Sequence, residues 1–228
     1  MKSLKIEAVI LAIGLALAGF FIRSGINSFA ERNRIVTVKG LAEMEVPADL
    51  VTWPLTYTLV GNDLPSLYEQ AKATNQKIVD YLTAKGISKE EITASAPTAT
   101  DNETNDYYGS KKPYRYSLSS TLTVTSHHVD LVRQLTSSMG ELFKMGIAIS
   151  GYASYDYTAL NKVKPGMIEK ATKNAREVAD KFAKDSNSKL GKIMSASQGQ
   201  FSIGDRDPNT PYIKEIRVVT TINYSLND

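Results

Sequence analysis

The sequence has 228 residues, a formal net charge of +3, 42% hydrophobic and 22% charged residues, and no cysteine. That balance describes a folded chain with room for one ordinary domain or two small ones, and it excludes a disordered one. Without cysteine there are no disulfides, thiolate metal sites or cysteine nucleophiles; lysines and arginines interleaved with acids leave no basic, aromatic-studded run, so no nucleic-acid partner is expected.

Lys2 and Lys5 precede an unbroken apolar run, Ala8 to Ile22, that stops at Arg23. A basic start followed by such a run is an export pattern. Ala16-Leu17-Ala18 offers a small-x-small cleavage site, while Phe20, Phe21 and Ile22 prolong the run toward the roughly 20 apolar residues that span a bilayer. Two readings stay open: a cleaved signal peptide, or a retained anchor with Ala8, Ile10, Leu15, Phe20 and Ile22 in the membrane. Both export the body. The expected division is an export segment over 1–23, a polar tether over 24–33 and one α+β domain over 34–228.

Period-two alternation then runs twice. Val36, Val38, Gly40, Ala42, Met44 and Val46 share one face of a first strand, with Thr37, Lys39, Glu43 and Glu45 opposite. After a corner at Pro47-Ala48-Asp49, Val51, Trp53, Leu55, Tyr57 and Leu59 share one face of a second strand. Pro54 has no N–H to give a ladder, which predicts an edge or a bulge there. Asn62-Asp63 caps a helix from Leu64 to about Lys85 whose apolar stripe is Leu64, Leu67, Tyr68, Ala71, Ile78, Val79 and Leu82, with Gly86 at the C-terminal cap.

A strand over Ile92–Ala99 and one carrying Leu118, Ser120, Leu122 and Val124 are expected to form a hairpin with a long polar tip, Thr100 to Pro113. A short helix follows from about His127 to Met139, and alternation from Gly146 to Tyr157 predicts a further strand. A second long helix is expected from Pro165 to about Asn187, buried through Ile168, Ala171, Ala175, Val178, Ala179 and Phe182. Strands over Lys192–Ile203 and around Ile216–Leu226 complete the chain. The order of elements from Val51 to Thr125 recurs from Ile147 to Leu226, a pseudo-repeat. The fold class is therefore α+β: a largely antiparallel sheet with two long helices packed on one face, preceded by an N-terminal apolar helix.

Candidate chemistry is sparse. Glu43 and Glu45 share a strand face about 7 Å apart, a spacing open to an acid/base pair or a cation, yet equally that of a solvated face with Lys39. His127 and His128 are the only histidines, and neighbours on a helix diverge by about 100°, too far to share one metal. No nucleophile elbow, phosphate loop or dinucleotide fingerprint is present. The expectation is no catalytic site, no metal and no cofactor. Tyr107, Tyr108, Tyr114 and Tyr116 crowd the hairpin tip beside Lys111, Lys112 and Arg115, and tyrosine on an exposed loop favours a contact with another copy of the chain.

The run Val36-Thr37-Val38-Lys39-Gly40-Leu41-Ala42-Glu43-Met44-Glu45-Val46-Pro47-Ala48-Asp49 resembles the opening motif of the SIMPL domain family, the YggE-like envelope proteins. The helix end Lys85-Gly86-Ile87, then Glu91-Ile92-Thr93, the alanine-rich helix Ala171 to Ala183 and Leu190-Gly191-Lys192-Ile193 resemble it in the same order. The likeness covers about Arg34 to Leu226; the chain departs from it in Leu41-Ala42, where a second glycine is common, and in Trp53-Pro54 within the second strand. The resemblance implies a bacterial envelope protein facing the periplasm, with no established enzymatic activity, linked to protection under oxidative and envelope stress. It implies self-association, ring-like or channel-like in some members. A binding module or weak enzyme for a small envelope ligand is the alternative.

Overall fold

The computed structural model describes residues 11–25, 34–104 and 113–227. Within these the chain has the α+β architecture its periodicities predict, and it divides into two compact units. A terminal unit comprises Met1–Met44, Asn161–Ser202 and Ile216–Asp228; a central unit comprises Glu45–Leu160 and Ile203–Glu215. Residues 11–25 form a helix, α1, exposed throughout, which carries Leu15, Phe20 and Ile22; Ala8 and Ile10 lie outside the described residues. Among the described residues no helix is long and apolar enough to cross a membrane.

The two alternating stretches are strands β1 (Ile35–Pro47) and β2 (Leu50–Gly61), each with its apolar positions turned inward as the pattern requires. They do not share a sheet. In the central unit β2 lies in a five-stranded sheet with β3 (Ile92–Ala94), β4 (Thr98–Asp101), β5 (Tyr116–Ser126) and β6 (Ser154–Asp156), in the order β3-β5-β2-β6 with β4 also on β5. The β2/β5 ladder is antiparallel and continuous from Val51↔Ser126 to Gly61↔Tyr116.

Helix α2 (Leu64–Ala84) covers one face of that sheet. The Asp63 carboxylate accepts the Ser66 N–H at 3.0 Å, Pro65 fits the first turn, and Gly86 takes φ +99° just beyond the end. Leu67, Ala71, Ile78, Tyr81 and Leu82 face inward. Tyr68, assigned to this stripe by spacing, is instead 53% exposed, because it stands 100° round the helix from Leu67. Short helices α3 (Val129–Ser137) and α4 (Gly140–Lys144) add Val132, Leu135 and Leu142 to a core of Trp53, Leu55, Ile78, Leu82, Leu122 and Val124. Each such side chain contributes about 1.5–3 kcal/mol by leaving water.

At Pro54 the strand is a local edge on the side facing β6, as its missing N–H predicts, and has no bulge on the side facing β5. Pro54 sits in the middle of β2, paired with Thr123 in an unbroken register. Its missing N–H falls on the other side, where Thr52 pairs with Ser154 and Thr56 with Ser150 while the residues between form no ladder. Gly151, at φ +139°, lies so close to the Pro54 carbonyl that a Cβ would collide with it. The expected strand over Gly146–Tyr157 is thereby reduced to Ser154–Asp156, since a neighbour of a proline has no donor to pair with. The Ile92–Ala99 strand likewise splits into β3 and β4, with Pro97 between them.

Helix α5 (Leu160–Asp185) accompanies a second sheet, of order β1-β9-β7, made with β7 (Lys189–Gln198) and β9 (Ile213–Asn227), to which β8 (Ser202–Asp205) adds by pairing with β9. At one end Leu226 N–H donates to the Arg34 carbonyl, and further along Arg217 pairs with Glu43, so β1 runs antiparallel to β9. The strand expected over Lys192–Ile203 is thus two strands. Helix α5 begins at Leu160, ahead of Pro165, which is accommodated inside it. Its inward residues are Met167, Ala171, Ala175, Ala179 and Ala183; Phe182 of the expected stripe is exposed and Ile168 and Val178 are half-buried. Gly40 on β1 meets this alanine row so closely that a Cβ would run into the Ala171 carbonyl and Ala175.

The pseudo-repeat is real in its order but begins elsewhere. Strands β2, β3/β4 and β5 with α2 correspond to β1, β7/β8 and β9 with α5: in each case the short or split strands flank the long one that pairs with the first. The second half therefore takes its first strand from β1, ahead of the first half in sequence, and β6 is an addition.

Candidate functional site

The carboxylates singled out by spacing are each spoken for. Glu43 pairs with Arg217 at 3.2 Å in the terminal unit, and Glu45 pairs with Arg206 at 3.3 Å in the central unit. Arg206 also pairs with Asp207, whose carboxyl is lowered to about 2 by the Thr210 hydroxyl and by Arg206. The two glutamates are thus anchors for separate arginines rather than a facing pair. His127 places Nδ1 2.6 Å from the Asp49 carbonyl, and His128 lies 3.5 Å from Glu91. Among the described residues no group of His, Asp or Glu is placed to hold a metal ion.

Asp49, the last residue of the opening motif, does have a defined role. Its carboxylate accepts the N–H groups of Thr158 at 2.7 Å and Ala159 at 3.0 Å, immediately ahead of α5. Burial pushes its carboxyl up, but those hydrogen bonds outweigh it and hold the group below the usual range. This is capping chemistry supplied from far away in sequence.

Of the tip tyrosines, Tyr107 and Tyr108 lie outside the described residues. Tyr114 is exposed. Tyr116 packs against the cluster of Leu67, Ala71 and Leu118, with the Arg115 guanidinium 5.0 Å over its ring. Its position follows from parity: Tyr116 is an even residue of β5, like the inward Leu118, Leu122 and Val124. Arg115 in turn bonds Asp101 at 3.1 Å and lies 3.4 Å from Glu103, so the base of the hairpin is tied by charge, and the Arg115 hydrogen bond holds the Asp101 carboxyl low.

Two surfaces remain that the sequence did not single out. The first is β7. It pairs only with β9 among the described strands, its register slips between Leu190 and Ser195, and Lys192–Gln198 are exposed on both faces. Ile193 and Met194 there are 51% and 56% exposed. The second is a cavity of about 300 Å³ beside α2, at the break between β3 and β4, with Leu122 and Pro97 on one side and Tyr68, Lys72, Asn75 and Gln76 on the other. Asn75 Oδ1 lies 2.8 Å from the Tyr57 hydroxyl and 3.2 Å from that of Ser120. Both hydroxyl residues are buried, and burial raises the Tyr57 phenol. A signal for this site was present: Tyr57 on a buried strand face needs a polar partner, and Asn75 interrupts the apolar stripe of α2 between Ala71 and Ile78.

Two antiparallel sheets, each carrying one long helix, with ion-paired acids and no metal cluster among the described residues, define a scaffold of α+β class. The sequence matches the SIMPL family, described as protein of unknown function (DUF541), over residues 36–222, and the chain belongs to that family. No match to a curated protein is found.

Proposed function

We propose that this SIMPL-family chain is a non-enzymatic protein of the bacterial cell envelope, with its body on the periplasmic side, that works by associating with copies of itself and serves in protection under oxidative or envelope stress. The observation that carries the self-association is β7. An outer strand that keeps both faces in water and presents Ile193 and Met194 is a template for another chain. Its slipped register limits indefinite edge-to-edge growth, which favours a closed assembly. Envelope placement is supported by the basic start and the apolar run through Ile22, and the stress role by the family resemblance.

Sedimentation equilibrium of the full chain in density-matched detergent tests the proposal. The wild type is expected to sediment as a multimer, and the double substitution Ile193→Lys with Met194→Lys to sediment as a monomer with unchanged circular dichroism. A monomeric wild type, or a multimer indifferent to the substitutions, would overturn it.

A further inference from the structure

The cavity beside α2 is built to receive one sign of charge. Lys72 is the charged residue among those lining it, and no carboxylate lines it. Of the acids on the same helix, Asp80 accepts the Gln76 side-chain amide at 2.8 Å, and Glu69, one turn ahead of Lys72, is exposed and does not line the cavity. Lys72 makes no ion pair among the described residues. Asn75 is held by its oxygen, which accepts the Ser120 hydroxyl and shares the Tyr57 hydroxyl proton with the Ala71 carbonyl, leaving its NH2 without a partner among the described residues and turned away from these contacts. An ammonium and a pre-set amide donor thus sit on one side of the cavity. Val79, Pro97 and Ala94 give it an apolar side, and Tyr68 stands exposed among the lining residues with a ring and a hydroxyl to offer.

We infer that this cavity binds a small organic monoanion, an apolar body carrying a single carboxylate, with the carboxylate at Lys72 and Asn75 and the body on Val79, Ala94 and Pro97. The volume is at the lower end of what ligand cavities show and suits a compact acid rather than a nucleotide or an oligosaccharide. This site lies in the central unit, does not involve β7, and stands whether or not the chain self-associates.

The test is a titration of the full chain with 3-phenylpropionate, followed by nuclear magnetic resonance at the Asn75 side-chain amide and the backbone of Lys72 and Ala94, with neutral 3-phenylpropanamide as the matched control. The acid is expected to shift these signals saturably and the amide to leave them nearly unmoved. Asn75→Asp keeps an acceptor for Tyr57 and Ser120 but replaces the donor with a negative charge, so it is expected to abolish binding. Lys72→Gln, on an exposed position that the fold does not need, is expected to weaken binding about fivefold, the modest size reflecting solvent screening. Equal binding of acid and amide, shifts confined to other parts of the chain, or no shift with the acid at about 10 mM, a level that detects even millimolar affinity, would overturn the inference. Should Asn75→Asp fail to fold, an unchanged affinity in Lys72→Gln overturns it equally.

Discussion

The two units solve one packing problem in opposite ways. Each lays a long helix on an antiparallel sheet. In the central unit the contact is made by large side chains, Trp53, Leu55, Ile78, Leu82 and Leu122, all fully buried. In the terminal unit the helix side is small: the alanine row Ala171, Ala175, Ala179 and Ala183 of α5 is buried, with Gly40 of β1 hard against Ala171 and Ala175, and Val38, Ile222 and Tyr224 of the sheet packed on Ala175 and Ala179. A contact of large groups has volume to lose, and a contact of small groups has none to gain. The central unit should therefore be sensitive to truncation and the terminal unit to enlargement.

The largest effect is expected from Trp53→Ala, which empties the centre of the large-residue core and should cost about 4 kcal/mol, read as a fall in the urea midpoint. A loss below about 1 kcal/mol would mean that the sheet collapses onto the gap, and the contrast would fail. Next comes Gly40→Ala. The added methyl meets the Ala171 backbone rather than a movable side chain, and about 3 kcal/mol of destabilisation is expected in the same assay. A neutral result would show α5 free to ride up on β1. The smallest effect sharpens the comparison at the start of α5. Asp49→Ala removes the acceptor for Thr158 and Ala159 and should cost about 1 kcal/mol near neutral pH. Because the folded Asp49 carboxyl is held below its unfolded value, its contribution is complete above the unfolded pKa and disappears as pH falls through the folded one. The wild-type and Asp49→Ala urea midpoints should accordingly converge on acidification; a constant gap would argue against the cap.

Much of this contrast was legible. Alternation placed the faces of β1 and β2 to the residue, and the 3.6 period found α2 between its Asp63 cap and Gly86. What escaped was set by partners distant in sequence. Pro165 looks like the start of α5 only while Asp49 is unseen, because the cap that lets the helix begin at Leu160 comes from the corner between β1 and β2. The alternation of Gly146 to Tyr157 is genuine, with Ile147 and Tyr155 buried, but the ladder it implies needs a donor that Pro54 lacks. Phe182 was placed inside by spacing, whereas the buried row of α5 recurs every four residues and drifts away from it. The cavity beside α2 depends on a gap between β3 and β4 and on which way Asn75 is held, neither of which a one-dimensional pattern contains.

The placement of β1 also has a consequence in time. Its partner β9 follows far downstream, and nearly all of the central unit lies between them in sequence. As the chain emerges, the central unit can close most of its sheet from neighbouring segments, while β1 has to remain unpaired until β9 arrives. Throughout that interval Val36, Val38 and Val46 are in water on a strand with two open edges. A chain shortened before Ile213 leaves β1 permanently in that condition, so loss of β9 should surface as aggregation nucleated at β1.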